Sequence, residues 1–229
     1  MAGERLFTEE ELEDLGKLTI TKAKEAADAG DAERCKALID QMYEELAMLH
    51  DASTVWVTGL QSFIYNNYGL EALKEAERYA HGIEGKLVFN LEMGDMTVRE
   101  NVEQHCSGVK GHVHQDIEVV EEDDWIDVIV RPCGSGGMLM NRGAYEEGCA
   151  RISEACPETW GLPDFPIYCV HCPMGEQGAV DAGGVMRFVH PTDGMESGKD
   201  LGPNCVYRIY KDPKDIPEDY FTRIGKKRP

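Results

Sequence analysis

The feature that most constrains this chain is a change of hydrophobic period near Gly82–Gly85. Up to residue 82, apolar side chains return every three or four positions, the spacing of one helix face. Beyond it, glycine, proline and β-branched residues rise and the apolar runs shorten, as in strands. The spacing therefore predicts an α+β protein: an N-terminal helical hairpin or bundle, residues 1–82, packed on a mixed or antiparallel sheet domain, residues 83–229.

Within the helical part, Thr8-Glu9-Glu10-Glu11 has the form of a capping box, opening a helix that runs to about Asp28 before Gly30. Asp31 caps a second helix, with Cys35, Leu38, Ile39, Met42, Leu46 and Leu49 on one expected buried stripe. Ser53 caps a third, with Trp56, Leu60, Phe63 and Ile64 on one face. Gly69 precedes a fourth, Leu70 to His81. These apolar faces suit either the rest of the chain or a second copy, so a homodimer is compatible with them.

The second part reads as short elements. Lys86–Leu91 is a candidate strand, and Thr97-Val98-Arg99-Glu100 is a second capping box, opening a short helix that ends at 105–108. A hairpin of His112–Val120 and Trp125–Val130 turns through the acidic Glu121–Asp124. A glycine-rich loop, Pro132–Gly137, leads to an expected helix over Ala144–Ala155. Pro166–His171, Val185–His190 and Cys205–Tyr210 read as strands, Met174–Asp181 as a short helix or turn, and Asp212–Pro229 as a surface tail.

Charge narrows the partners. Lys plus Arg number 23 against 43 Asp plus Glu, a net −20, which argues against nucleic acid and anionic lipid, since both need clustered cations. No apolar run is long enough to span a membrane, and the N-terminal stretch lacks the apolar and cationic segments of a secretory signal. The expected location is the cytoplasm, where eight cysteines are thiols, ligands or nucleophiles rather than disulfides. Cys35, Cys149 and Cys156 read as small buried apolar residues.

Three patterns carry possible chemistry. If residues 112–118 form a strand, His112, His114, Asp116 and Glu118 share one face, and two imidazoles with a carboxylate suit Zn or Fe. An ordinary amphipathic strand explains the same residues. Cys169 and Cys172 have the C-x-x-C spacing that lets two thiolates meet one ion. A four-cysteine zinc ribbon needs a second such pair, which the chain lacks, so a mixed site with His112 and His114 is expected, with Cys133 and His171 as further candidates. A redox dithiol and plain buried thiols are the alternatives; Gly175 and Gly178 argue against the long helix that usually follows a redox pair. The Pro132–Gly137 loop can form an anion-binding nest, and its Cys133 is a candidate nucleophile. It is neither a Walker loop nor a dinucleotide fingerprint. Glu176 and Asp181, just past Cys172, are candidate bases.

The strings PCGSGG (132–137), YCVHC (168–172) and IYKDPKDIPEDYF (209–221) resemble those of bacterial proteins near the L-2-amino-thiazoline-4-carboxylic acid hydrolase-like group. The resemblance spans about residues 100–229 and implies a cytoplasmic protein that acts on or binds a small organic molecule. It transfers no catalytic residue.

Taken together, the sequence points to a metal-dependent enzyme, hydrolase or lyase, acting on a small polar substrate. Zn or Fe sits on His112, His114, Cys169 and Cys172. Glu176 or His171 moves the proton, and the Cys133 loop holds developing charge. The alternatives are a small-molecule or metal sensor without catalysis and a metal-free enzyme using Cys133 as nucleophile.

Overall fold

The structure, a computed structural model, describes residues 6–84, 96–113, 116–184 and 186–229, with the backbone alone at Glu84, His112 and Val113. The candidate strand Lys86–Leu91 lies outside the described residues. The chain is α+β and divides into two units, Met1–Ala52 and Ser53–Pro229. No helix of the described residues is long and apolar enough to cross a membrane.

The first unit holds α1 (Glu9–Gly16), α2 (Thr19–Asp28) and the start of α3 (Ala32–Glu84). The Thr8 capping box is formed: Glu11 N–H donates to Thr8 Oγ1 at 3.2 Å, and Thr8 N–H donates to Glu11 Oε2 at 2.7 Å. The helix expected to run unbroken to Asp28 is in fact two, because Lys17 is extended (φ −79°, ψ 138°) just after Gly16. Ala23, Ala26 and Leu38, with Cys35, form this unit's small core. Ile39, Leu46 and Leu49, expected on the buried stripe, are exposed.

Ser53 starts no new helix, since α3 runs through it. Gly69 does break the helix, with φ 83° and ψ 179°, a left-handed φ that costs glycine no Cβ clash. The chain reverses there: Gln61 Nε2 donates to Glu77 Oε1 at 2.8 Å, a contact between residues sixteen apart that one straight helix would hold about 24 Å apart. The face that residues 53–68 bury is polar. Thr58 Oγ1 and Ser62 Oγ donate to the carbonyls of Thr54 and Thr58 at 2.6 and 2.7 Å, which satisfies them inside the protein. Trp56, Leu60 and Phe63, expected on one apolar face, are exposed.

Helix α4 (Val98–Val113) begins at the Thr97 capping box, where Thr97 N–H donates to Glu100 Oε2 at 2.8 Å. It runs past 108, where the sequence suggested an end, because its apolar face continues: Val102, Cys106 and Val109 pack on Val128, Val130, Tyr207 and Ile209. Strand β1 is therefore only Glu118–Glu121. It pairs antiparallel with β2 (Trp125–Val130), and β2 with β5 (Cys205–Tyr210), in the order β1-β2-β5. Arg208 clamps Asp127 across the β2–β5 pair at 2.8 and 2.9 Å.

The predicted Ala144–Ala155 helix is absent; a helix, α5, forms earlier, at Gly136–Asn141, and turns lead to β3 (Arg151–Ile152). Strand β3 pairs with β4 (Phe165–Pro166). The rest of the predicted 166–171 strand is a single 3₁₀ turn, Ile167–Val170, running into α6 (His171–Asp181), which continues through Gly175 and Gly178. Of the predicted Val185–His190 strand, Val185 lies outside the described residues, and among the rest Val189 bridges Arg208. The tail is no surface strap: Ile216, Ile224 and, from α7 (Glu218–Thr222), Phe221 sit in the main core with Leu73, Ile152, Phe165 and Val170. Its short polar runs hid these anchors.

Candidate functional site

Register brings the site together. Val130 ends β2 opposite Cys205, which starts β5, so the chain leaving β2 stays beside that strand. Cys133 N–H then donates to Pro203 O at 2.7 Å, pinning the glycine-rich loop to the segment before β5. A Cβ on Gly137 would lie 2.0 Å from Pro203 O, and one on Gly136 would lie 2.8 Å from Cys169 Sγ. Only glycine lets this loop close on its neighbours. The 3₁₀ turn and the start of α6 supply Cys169, His171 and Cys172.

These segments enclose a cavity of about 210 Å³. Four of the eight cysteines line it: Cys133, Cys169, Cys172 and Cys205. His171 and His190 line it with Met140, Trp160, Met195, Leu201 and Tyr207, and no Lys, Arg, Asp or Glu side chain does. Burial, with Cys205 alongside, pushes the Cys133 thiol up to about 11; the Gly137 and Ser135 N–H groups bonded to its sulfur do not offset this. Cys169 and Cys205 are raised further by burial, then by their sister thiols. Among the described residues, no three His, Cys, Asp or Glu side chains converge tightly enough to hold one metal ion.

Behind the cavity sits Glu176, buried and fully engaged. Its Oε1 accepts from His190 N–H at 3.1 Å and faces His190 Nδ1 at 3.0 Å. Its Oε2 accepts from Trp160 Nε1 at 2.8 Å and from Arg223 Nη2 at 3.4 Å. The carboxylate thus orients His190 and is not a free base at the cavity. Burial disfavours the His190 cation, but the Cys172 sulfur and Glu176 outweigh it and lift the imidazole to about 9. His190 Nε2 is sealed and has no hydrogen-bond partner of normal geometry; the Cys172 sulfur is what acts on it. His171 flanks the same sulfur: its Nε2 is 3.4 Å from Cys172 Sγ while Nδ1 meets Tyr168 O at 2.5 Å. With Nδ1 the donor to that carbonyl, Nε2 accepts from the thiol.

Of the residues singled out in the sequence, Cys133, Cys169, His171 and Cys172 come together, and Glu176 supports them from behind. Asp181 pairs instead with Lys226 at 2.5 Å. His112 belongs to helix α4, not to a strand, so the alternation that put it on one face with His114 and Asp116 does not hold. The His112 side chain and all of His114 lie outside the described residues. Cys205, His190, Trp160 and Tyr207 were not foreseen. Cys205 read as the start of a strand, and the only local signal at His190 is the proline that follows it.

Compared with protein-family models, curated proteins and solved structures, the chain matches none.

Proposed function

We propose that this chain is a metal-dependent enzyme, hydrolase or lyase, whose Zn or Fe centre is held by thiolates of the cysteine-lined cavity and acts on a small organic molecule. One observation carries the reading: four cysteines from three separate chain segments line a single cavity. Thiolate with imidazole at its edge is a donor set that both Zn and Fe accept. A metal bound there would supply Lewis acidity toward the substrate. Thiols, thioethers and aromatic rings around it favour a small uncharged molecule, which makes the substrate less polar than the sequence suggested. The resemblance to the thiazoline-carboxylate hydrolase-like group points the same way, to small-molecule work in the cytoplasm. The ligands sought are the cavity cysteines, not His112 and His114.

Metal per chain, measured by mass spectrometry on untagged protein purified without chelators and under reducing conditions, tests this. Stoichiometric Zn or Fe is expected. A chain that stays metal-free after reconstitution overturns it.

The clamp of Glu176 on His190 favours a second reading, a metal-free enzyme with Cys172 as nucleophile. Cys172 is the second residue of α6, and its sulfur lies 3.4 Å from His171 Nε2. His190 would take its proton, oriented by Glu176. Full activity in chelator-treated protein, lost when iodoacetamide labels Cys172, would select this reading; loss on chelation alone rejects it.

A further inference from the structure

We infer that Cys133, Cys169, Cys172 and Cys205 together hold an iron–sulfur cluster rather than a single ion. The inference rests on the thiolate-metal reading and names the kind of centre.

The four thiols form one set. Cys133 from the glycine-rich loop, Cys169 and Cys172 from the turn into α6, and Cys205 from the start of β5 all line the same cavity. Yet they stand around a void of about 210 Å³ and do not meet at a point. A single zinc, with bonds of about 2.3 Å, would need its four sulfurs about 3.8 Å from one another. A group that touches all four walls must be larger, and a cluster of iron and sulfide bound by four cysteines is the thiolate-held group of that kind.

The surroundings agree. The Ser135 and Gly137 N–H groups hydrogen-bond the Cys133 sulfur, and the Val206 N–H and Tyr207 hydroxyl hydrogen-bond Cys205. Such bonds to ligating sulfurs help set a cluster's potential. Gly136 has no side chain to block Cys169 Sγ, so the loop can sit against the sulfurs. One C-x-x-C pair followed by proline, Cys169 to Pro173, joins two single cysteines brought in by the β2 and β5 ends. On loading, each S–H bond gives its proton to water as an Fe–S bond forms; ferric iron and sulfide make a two-iron cluster with no electron transfer, and a four-iron cluster takes its two electrons from dithiothreitol, which leaves as its disulfide.

The experiment uses the full chain, purified anaerobically and also reconstituted with ferric iron, sulfide and excess dithiothreitol. Iron and acid-labile sulfide are counted. The expected result is equal iron and sulfide, with a broad visible band that dithionite bleaches. Cys133→Ser and Cys205→Ser should each lose most of both, while Cys35→Ser, outside the cavity, keeps them. Zn, or iron without sulfide, overturns the cluster and leaves a single-ion centre standing. A chain that takes up neither overturns the metal reading as well. The sulfide count on the unmodified chain decides even where a variant fails to fold.

Discussion

Glu176 grips His190 at two points, backbone N–H at 3.1 Å and Nδ1 at 3.0 Å, through one carboxylate oxygen. The other oxygen is shared by Trp160 and Arg223, so one buried carboxylate fixes three elements around the cavity.

Glu176→Ala should therefore destabilise the fold strongly. It leaves the buried His190 and Arg223 groups without their partner, a loss of about 3–5 kcal/mol. Glu176→Gln keeps some hydrogen bonds and should cost less. Urea unfolding measures both; a loss below about 1 kcal/mol for the alanine variant would contradict the clamp.

Lys74 and Glu158 form a second buried pair, 3.2 Å apart, with 15% and 6% of their side chains exposed. Burial opposes the Lys74 charge, yet Glu71 and Glu158 keep it raised. Lys74→Met should cost about 3–5 kcal/mol by stranding Glu158, and adding Glu158→Gln should recover part of it. A double-mutant cycle by thermal or urea unfolding checks the coupling. Additive effects would mean the pair does not interact.

Gly137→Ala should both destabilise the chain and abolish metal loading, because the new Cβ would sit 2.0 Å from the Pro203 backbone oxygen. Gly175→Ala, on α6 with nothing within 4 Å, should instead stabilise by about 0.5–1 kcal/mol through helix propensity. Melting temperature and bound metal are the readouts. Equal behaviour of the two variants would refute the close-approach argument.

Acid should weaken the fold through His105. Its ring lies 4.6 Å from both Phe188 and Tyr207, and burial, then the nearby His190 charge, lowers it from 6.5 to about 4. The folded state binds fewer protons there than the unfolded state. Stability from this group is thus complete above pH 6.5 and is lost as pH falls through about 4, in all about 3 kcal/mol. His105→Phe should flatten that part of a stability–pH curve. An unchanged slope would show that His105 is not the group.

Local rules were readable in the sequence, and long-range ones were not. The Thr8 and Thr97 capping boxes, the Gly69 break and the Cys205–Tyr210 strand follow from residues a few positions apart. The gathering of Cys133, Cys169, His171 and Cys172 was half legible, since their motifs flagged chemistry without saying that β2 and β5 would bring Cys133 and Cys205 together. His190 was invisible because its partner is Glu176, fourteen residues away and set by packing. Helix α4 overran its expected end because apolar contacts with the sheet outweigh the cost of Gly108 and Gly111. Which face of residues 53–68 is buried was not legible, because Thr58 and Ser62 satisfy themselves on helix carbonyls and take the inner side while Trp56 and Phe63 stay exposed.

The central claim is that the cavity thiols, not the His112–His114 pair, bind the metal. The most direct measurement compares bound metal per chain in two variants, Cys169→Ser/Cys172→Ser and His112→Ala/His114→Ala, purified alike. The first should come out depleted while the second keeps the metal content of the unmodified chain. Metal retained by the cysteine variant and lost from the histidine variant would contradict the account.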